Sequence, residues 1–338
     1  MNKREGRRRS TLAILAAFAV LVWLAAPFVG IKGLDPRLIW QPISSSMDAE
    51  IFWRLRVPRT SLAFMAGAAL SLCGMVFQAL FRNPLATPYT LGVSSGASLG
   101  AVLYLYTGIT FTVLGVSGVT LAAFAGAMLS IAVVLGLAGH QGYGEANTTL
   151  LAGVAVSLFF SSLILFFQYL SDFTNSIRIM RWLMGGLETV GMQPIWQLMP
   201  VFLLGLAVVF YFRRELNLLM VGEEFAASRG TQLKLVKYAL FLATSLTVAG
   251  VVSLCGPIGF VGMIAPHICR LLIGPDHRYL APATVCFGGA FLTLCDIISR
   301  MLIPPAEIPV GVITAIMGGP FFLWLLTQRR KTVFGGAS

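Results

Sequence analysis

Apolar residues run along this chain in long segments, separated by short polar stretches or by glycine and proline. A helix needs about 20 mostly apolar residues to cross a bilayer, and polar or Gly/Pro punctuation marks where such helices end. The pattern therefore predicts an all-α integral membrane protein in which residues 1–338 form one transmembrane domain of ten helices. The predicted spans are 11–30, 58–81, 91–106, 113–138, 148–170, 194–212, 235–256, 259–273, 279–298 and 307–327.

The composition excludes a soluble protein of this size. Of the 338 residues, 57% are apolar and 11% are charged, whereas soluble domains average about 25% charged residues. The cysteines all lie in apolar segments without a CxxC pair, and the histidines do not cluster at metal-ligand spacing, so we expect buried, reduced thiols and no metal site. These residues are Cys73, Cys255, Cys269, Cys286 and Cys295, and His140, His267 and His277.

The basic residues orient the predicted helices. A basic N-terminal run precedes the apolar stretch 12–29, which is longer than the apolar region of a signal peptide and lacks a clear cleavage site, so we predict an uncleaved first helix. With the N-terminus in the cytoplasm, 16 of the 24 Lys/Arg fall on the inner side, which gives net charges of +10 inside and +1 outside. The positive-inside rule therefore places both termini in the cytoplasm, and the basic composition needs no nucleic-acid partner.

Arg56 and Arg59 are exceptions to this rule, because they lie just outside the second span. Arginines at an interface commonly extend their charged ends into water, and docking of a partner's carboxylates is the other interpretation. On the ninth span, Asp296 stands four residues before Arg300, a spacing that allows an intrahelical ion pair. Glu307 opens the last predicted span and suits a helix N-terminus.

Three stretches together resemble the FecCD family, also called the BtuC-like permeases. They contain RVPRT at 56–60 with NPLATP at 83–88, then GEE at 222–224 with ASRG at 227–230, then GPIGFVG at 256–262 with EIPVG at 307–311. The resemblance covers nearly the whole chain in the same order. One departure is Arg229, where the family usually has leucine, and it bears on the local packing of that segment.

The resemblance implies the membrane subunit of a type II ABC importer in a bacterial inner membrane, or in the single membrane of a Gram-positive cell. It implies a homodimer with the pathway between the copies, two ATPase subunits that bind ATP and Mg, and a binding protein that docks on Arg56, Arg59 and Arg300. No GxxxxGK[ST] motif occurs in this chain, so we expect it to bind no cofactor and to be no enzyme itself. The expected cargo is a ferric siderophore, with haem and cobalamin next.

The longest polar stretch on the inner side, within 213–235, reads as two short helices broken at Gly222. An ordinary cytoplasmic loop has the same composition. The resemblance implies that this stretch couples the subunit to the ATPase, with Glu223 and Glu224 offering charge to that partner and glycines permitting tight turns. The implied coupling residues are Leu219, Gly222, Glu223, Glu224, Ala227 and Gly230.

Two inner-side loops follow the second and fourth predicted spans. Structural turns are one interpretation, since closely spaced prolines make the first of them rigid. The resemblance implies instead that such loops line a cytoplasmic gate, and the residues concerned are Asn83, Pro84, Leu85, Asn147 and Thr148.

Gly92, Gly96 and Gly100 form successive GxxxG steps, which allow close helix packing in lipid. The same stretch matches the GxSxG motif of serine hydrolases at Ser94, with His267 as a conceivable partner, but that motif needs a strand–turn–helix. A membrane enzyme is therefore the weakest alternative. A secondary transporter or channel is the stronger one, although such carriers commonly place carboxylates in the middle of their spans and few ionisable residues fall there.

Overall fold

The computed structural model describes residues 3–30, 32–43, 46–139, 146–304 and 306–334. Most of these residues lie in α-helices, and two 3₁₀ turns, Ala26–Phe28 and Pro36–Trp40, lie between the first two of them. The helices are α1 (Lys3–Ala25), α2 (Met47–Glu50), α3 (Val57–Leu80), α4 (Val93–Thr107), α5 (Gly118–Gly139), α6 (Ala146–Leu170), α7 (Phe173–Leu183), α8 (Gln193–Tyr211), α9 (Arg213–Val221), α10 (Glu223–Ser228), α11 (Leu233–Cys255), α12 (Val261–Ile273), α13 (His277–Met301) and α14 (Val310–Phe334).

Each of the ten predicted spans corresponds to one of these helices, so the predicted all-α membrane fold is confirmed. Two shorter apolar helices are α12 and the stretch Val310–Leu323 of α14, and α4 has 15 residues. Within the described ranges, the stretches long and apolar enough to cross a membrane are Glu5–Phe28, Met47–Leu80, Gly118–Leu137, Thr148–Leu170, Gln193–Tyr211, Leu233–Cys255 and His277–Met301.

The second span begins earlier than the apolar pattern predicted. α2 continues through a π-helical segment, Ile51–Arg56, directly into α3, so one helical stretch runs over Met47–Leu80. The π-helical hydrogen bonds end just before Pro58. This proline has no amide proton, so it cannot donate an α-helical hydrogen bond to the preceding turn. Arg56 is thus the last residue of a helical turn and not part of a loop.

A short hairpin takes the place of the start of the fourth predicted span. Thr112–Val113 (β1) pairs antiparallel with Val116–Ser117 (β2). The two turn residues, Leu114 and Gly115, have φ values of 50° and 78°. Positive φ at both central positions matches the twist of a two-residue hairpin, so α5 starts only at Gly118.

α3 lies at the centre of the bundle, because 89% of the most apolar 18-residue stretch of the helix Met47–Leu80 is buried. Gly67 faces Gly288 of α13, and Gly74 faces Gly262 of α12. A Cβ atom on either α3 glycine would collide with the backbone of the facing helix. Helices in lipid associate by close packing of small residues, so these two crossings hold α12 and α13 against α3. The sequence predicts close packing at Gly92, Gly96 and Gly100, and the structure adds these two crossings.

α4 and α5 cross closely at Gly96 and Gly100, where a Cβ atom on either glycine would collide with the α5 backbone. Gly92 lies before α4 and not within it. Its φ of 79° is left-handed, and its carbonyl accepts a hydrogen bond of 2.7 Å from Ser130 Oγ. Gly92 therefore ends the 3₁₀ turn Pro88–Leu91 and is not a helical step of a GxxxG motif. It still packs closely, because a Cβ atom on it would lie 2.9 Å from Ser130 Oγ of α5.

The break between α11 and α12 is packed inside the protein. Gly256 and Phe260 both have a φ of 66°, so the chain reverses out of α11 and into α12 within a few residues. The Gly186 amide donates to the Cys255 carbonyl at 2.8 Å across this break. Irregular backbone at membrane depth is tolerated where the protein itself satisfies its polar groups.

Candidate functional sites

The charged candidate residues lie at the two ends of the bundle. α3 has 24 residues and spans about 36 Å between these ends. We call the end that holds Arg59, near the start of α3, the Arg59 face. We call the end that holds Arg82, just after α3, the N-terminal face, because Arg8 in the first turns of α1 pairs there with Asp276 at 3.7 Å.

At the Arg59 face, Arg59 and Arg300 share one buried carboxylate. Arg59 Nε lies 2.8 Å from Asp296 Oδ1, and Arg300 Nε lies 3.0 Å from Asp296 Oδ2. The Asp296 side chain is 0% exposed, and those of Arg59 and Arg300 are 13% and 8% exposed. The predicted intrahelical pair of Asp296 and Arg300 is confirmed. Buried charges are tolerated when paired, so this cluster ties the start of α3 to the end of α13.

Glu307 belongs to the same cluster and lies in the loop before α14. Its Oε2 atom is 2.6 Å from Arg59 Nη1. The loop is held to α13 by hydrogen bonds between Ser299 and Ile308, one of them from the Ser299 hydroxyl to the Ile308 carbonyl. The expectation that Glu307 opens the last helix is wrong, because α14 begins at Val310 and the carboxylate turns to Arg59 instead.

A cavity of about 730 Å³ opens at the Arg59 face. It brings together the three arginines predicted to dock a binding protein, and it adds Arg181 of α7, which the sequence analysis did not propose for docking. Arg56 donates to the carbonyl oxygens of Pro27 at 3.2 Å and Lys32 at 2.7 Å. The charged residues that line the cavity are Arg56, Arg59, Arg181, Glu188, Arg300 and Glu307.

At the N-terminal face, the predicted coupling segment forms two short helices that break at Gly222, as the sequence analysis expected. Gly222 has a φ of 156°, which favours glycine. Glu224, Phe225 and Ala227 are exposed on the side of α10 that faces away from the bundle. Gly230 follows this helix and has a φ of 81°. The Arg229 guanidinium lies 5.3 Å from the centre of the Phe225 ring, so the residue that departs from the family pattern packs on this exposed surface.

Leu219 and Glu223 face the protein interior. Leu219 is 2% exposed. Glu223 accepts hydrogen bonds from Arg82 at 3.0 Å and from Lys237 of α11 at 2.5 Å. Burial acts to raise the pKa of Glu223, but the bonds from Lys237 and Arg82 outweigh it and hold the pKa below its ordinary value. Glu223 thus joins α10 to the end of α3 and to the start of α11, whereas Glu224 beside it remains exposed.

A second contact, which the sequence analysis missed, joins α9 to the turn between α12 and α13. The Asn217 side-chain amide donates to Asp276 Oδ1 at 2.9 Å, and its oxygen accepts from the His277 amide at 2.9 Å. Asp276 also pairs with Arg278 at 2.8 Å. Burial acts to raise the pKa of Asp276, but the hydrogen bonds from Arg278 and Asn217 lower it to about 2.

The predicted gate residues of the first loop lie in a tight turn beside Glu223. Arg82 has a φ of 46°, which is uncommon outside glycine. The Asn83 side chain accepts from the Leu85 amide at 2.9 Å, and the turn carries Pro84 between them. The position of this turn is therefore fixed from one side by its own Asx turn and from the other by the ion pair of Arg82 and Glu223.

The second predicted gate loop leads into α6, and α6 packs on the 3₁₀ turn Pro88–Leu91 that follows the first gate loop. A Cβ atom on Gly153 of α6 would lie 2.6 Å from the Leu91 Cα, so the two backbones nearly touch just after the tight turn. Thr148 is half-buried in the first turn of α6. The side chain of Asn147 lies outside the part of the chain that the structure describes.

The remaining candidates contribute no reactive centre to these faces. All five cysteines are free thiols, and four of them are buried. Among the described residues, which leave out His140, no three His, Cys, Asp or Glu side chains come close enough to hold a metal ion. Ser94 follows a 3₁₀ turn and not a strand, so the strand–turn–helix of a hydrolase is not formed there.

The chain is similar along most of its length to membrane permeases. A profile of the FecCD transport family matches residues 17–328. The cobalamin import system permease protein BtuC of Halobacterium salinarum is 42% identical over 276 residues, or 81% of this chain and 73% of that protein. The hemin transport system permease protein HmuU of Yersinia pestis is 33% identical in an alignment that covers 98% of this chain and 99% of that protein. A solved inward-facing structure of a metal-chelate type ABC transporter is 31% identical, with a TM-score of 0.83 over 95% of this chain and 99% of that one. The chain belongs to the FecCD transport family.

Proposed function

We propose that this chain is the membrane-spanning permease subunit of an ATP-driven ABC importer that carries a metal chelate. Two copies form the pathway, two ATPase subunits hold ATP and Mg on the N-terminal face, and a binding protein delivers cargo to the Arg59 face. Both chain ends then lie in the cytoplasm. The observation that carries the proposal is the pair of short helices α9 and α10, which are exposed on one side and anchored to spanning helices on the other.

The exposed side of these helices suits a groove on an ATPase subunit. Val221 is 68% exposed and Phe225 is 40% exposed, beside the charged Glu224. Large apolar side chains flanked by charge are typical of surfaces that a partner covers. Within the sequence-implied coupling set, Glu224, Ala227 and Gly230 therefore belong to the contact surface, and Gly222 separates its two helices.

The inward side of the same helices transmits movement. Glu223 connects α10 to Arg82, and Arg82 precedes the gate turn directly. A push on α10 by the closing ATPases would therefore move that turn and, through it, the start of α6 packed on residues 88–91. In this mechanism Glu223 is a positioning residue, and Asn83, Pro84, Leu85, Asn147 and Thr148 line the gate that opens.

At the Arg59 face, the binding protein docks through carboxylates onto Arg56, Arg59 and Arg300. An arginine guanidinium binds a carboxylate through two parallel hydrogen bonds, which fixes the orientation of the partner as well as attracting it. Glu307 and Asp296 already engage Arg59, so a partner carboxylate would compete with the more exposed Glu307. Arg56 bonds to carbonyl oxygens and keeps its charge available to the partner.

Co-purification with the cognate ATPase subunit tests this function. The wild-type chain should bind it and show hydrolysis that binding protein and cargo stimulate, whereas Glu224→Lys/Phe225→Asp should lose association. Asp172→Asn, at an exposed aspartate before α7, changes the net charge by the same +1 and is the charge-matched control, which should associate normally. Uptake by the wild-type chain alone, without ATP or an ATPase, would refute the proposal in favour of a secondary transporter or channel.

For the cargo, we propose a ferric siderophore ahead of haem and cobalamin. The relatives named for hemin and cobalamin transport support a metal chelate as the class of substrate. Proteoliposomes containing the complete transporter and binding protein should accumulate the ferric siderophore faster than the other two chelates. Faster uptake of haem or of cobalamin would change the cargo and keep the function.

A further inference from the structure

A cavity of about 250 Å³ lies at the N-terminal face between the first turns of α1 and the end of α12. Arginine and threonine side chains of α1 line one wall, and three apolar residues of α12 line the other. Neither the docking surface of α10 nor the gate turn contributes to it. The lining residues are Arg7, Arg8, Thr11, Leu271, Leu272 and Ile273.

The cavity carries surplus positive charge. Arg7 is exposed and Arg8 is half-buried. The carboxylate nearest to Arg8 is Asp276, at 3.7 Å, but Asp276 already pairs with Arg278 at 2.8 Å. The guanidinium of Arg8 also lies 5.8 Å from the centre of the Tyr279 ring, which fixes its position without neutralising it.

The apolar wall continues the cavity toward the bilayer. Leu271 is 69% exposed and Leu272 is 52% exposed, although both belong to an apolar helix of the membrane domain. On α1, Ile14 is 67% exposed on the helix that carries the two arginines. Two guanidinium groups thus stand at the polar end of an apolar surface, which is the arrangement of headgroup and acyl chains in a phospholipid.

We propose that this cavity binds the phosphodiester headgroup of an anionic phospholipid from the leaflet that borders the N-terminal face. Arg7 and Arg8 hold the phosphate oxygens by charge-assisted hydrogen bonds, and the acyl chains lie along Leu271 and Leu272. Basic pockets between membrane helices bind such headgroups by the same chemistry. The site rests on charge and shape at α1 and α12 and does not depend on the transport function proposed above.

Lipid binding to the purified full-length chain tests the proposal. The probes are phosphatidylglycerol and phosphatidylcholine with identical acyl chains, titrated in detergent and counted by native mass spectrometry. The wild type should bind phosphatidylglycerol in preference to phosphatidylcholine, and Arg7→Gln/Arg8→Gln should weaken phosphatidylglycerol binding by about 5-fold per arginine removed. Equal binding of the two lipids by the wild type would overturn the proposal.

Two further variants separate the site from general surface charge and from misfolding. Arg9→Gln/Arg214→Gln removes the same number of charges from exposed positions outside the cavity and should change phosphatidylglycerol binding by less than about 2-fold. Arg7→Lys/Arg8→Lys keeps the charge and should retain most of the binding. An equal loss in the Arg9/Arg214 variant would overturn the proposal.

Inorganic phosphate distinguishes a lipid site from a site for a free anion. Phosphate lacks the acyl chains that contact Leu271 and Leu272, so it should displace phosphatidylglycerol only at a large molar excess. Displacement by equimolar phosphate would show that the cavity takes the free anion, and it would refute the lipid assignment.

Discussion

At the Arg59 face, charged residues pair between the spanning helices α3 and α13. At the N-terminal face, they join spanning helices to the short helices α9 and α10. Asp296 is completely buried between α3 and α13. Glu223 is 25% exposed, and its partner Arg82 is 44% exposed. Both clusters contain one carboxylate shared by two cations, so the difference between them is burial and the elements that they connect.

This difference separates a contact that holds the fold from contacts that can transmit movement. An ion pair buried between spanning helices cannot break without leaving an unsolvated charge, which costs several kcal/mol. A half-exposed pair can break and re-form at low cost, because water replaces the lost partner. We therefore expect the pairs of Asp296 with Arg59 and Arg300 to stay intact through a transport cycle, and the Glu223 cluster to carry the mechanical link.

The largest expected effect is that of Asp296→Ala. The substitution leaves the guanidinium groups of Arg59 and Arg300 buried without their shared carboxylate, so we expect a loss of about 3–5 kcal/mol in the free energy of unfolding. Thermal or denaturant unfolding in a mild detergent measures it. Asp172→Ala is the control, since that side chain is exposed and makes no capping hydrogen bond to α7, and it should change stability by about 0.5 kcal/mol or less. A loss below 1 kcal/mol for Asp296→Ala would remove the distinction between the two faces.

The sequence predicts contacts within one helix better than contacts between helices. The pair of Asp296 and Arg300 follows from their spacing of four residues, and the break at Gly222 follows from local composition. Arg59 and Glu307 are 248 positions apart, and Arg82 and Glu223 are 141 apart. Such pairs depend on which helices pack against each other, and apolar periodicity does not specify the packing partners. The same reason explains why Glu223 was expected to face a partner.

The start of the second span and the Gly67 and Gly74 crossings show the same limit. Residues 47–56 carry Asp48, Glu50 and Arg54, so the apolar pattern that marks a membrane span does not extend into them. The helix that forms there is capped by Ser46, and Phe52 packs it against Leu34 and Leu38, which is a tertiary contact. The glycines of α3 were visible in the sequence, but only the facing glycines of α12 and α13 give them a role.

Glu223→Gln should lower the stability less than Asp296→Ala does, but it should strongly weaken the coupling of ATP hydrolysis to uptake. The variant keeps the shape but loses the charge that binds Arg82 and Lys237, and half-exposed pairs contribute about 1 kcal/mol. ATPase-driven uptake should fall about 10-fold, in the range of typical coupling energies, while ATP hydrolysis by the complex continues. Parallel assays of uptake and hydrolysis in proteoliposomes measure this split.

Glu224→Gln is the matched control for that experiment, because it removes the same charge from the neighbouring exposed position. It should weaken ATPase association slightly and leave the ratio of uptake to hydrolysis unchanged. If Glu223→Gln lowered uptake and hydrolysis in proportion, Glu223 would act in assembly and not in transmission, and the two faces would differ in burial alone.

The smallest expected effect is the pH dependence of the contact between α9 and α13. The pKa of Asp276 is about 2 in the folded chain and 3.8 ordinarily, so the unfolded chain takes up a proton first as pH falls. The stabilisation is therefore complete above about pH 4 and is lost as pH falls from about 4 to 2, and solvent screening limits it to about 1 kcal/mol. Unfolding midpoints of the wild type and Asp276→Asn should differ at pH 6 and converge near pH 2, while Asp172→Asn should follow the wild type throughout. A difference between wild type and Asp276→Asn that did not change with pH would mean that packing, and not the ionised carboxylate, holds α9 to the bundle.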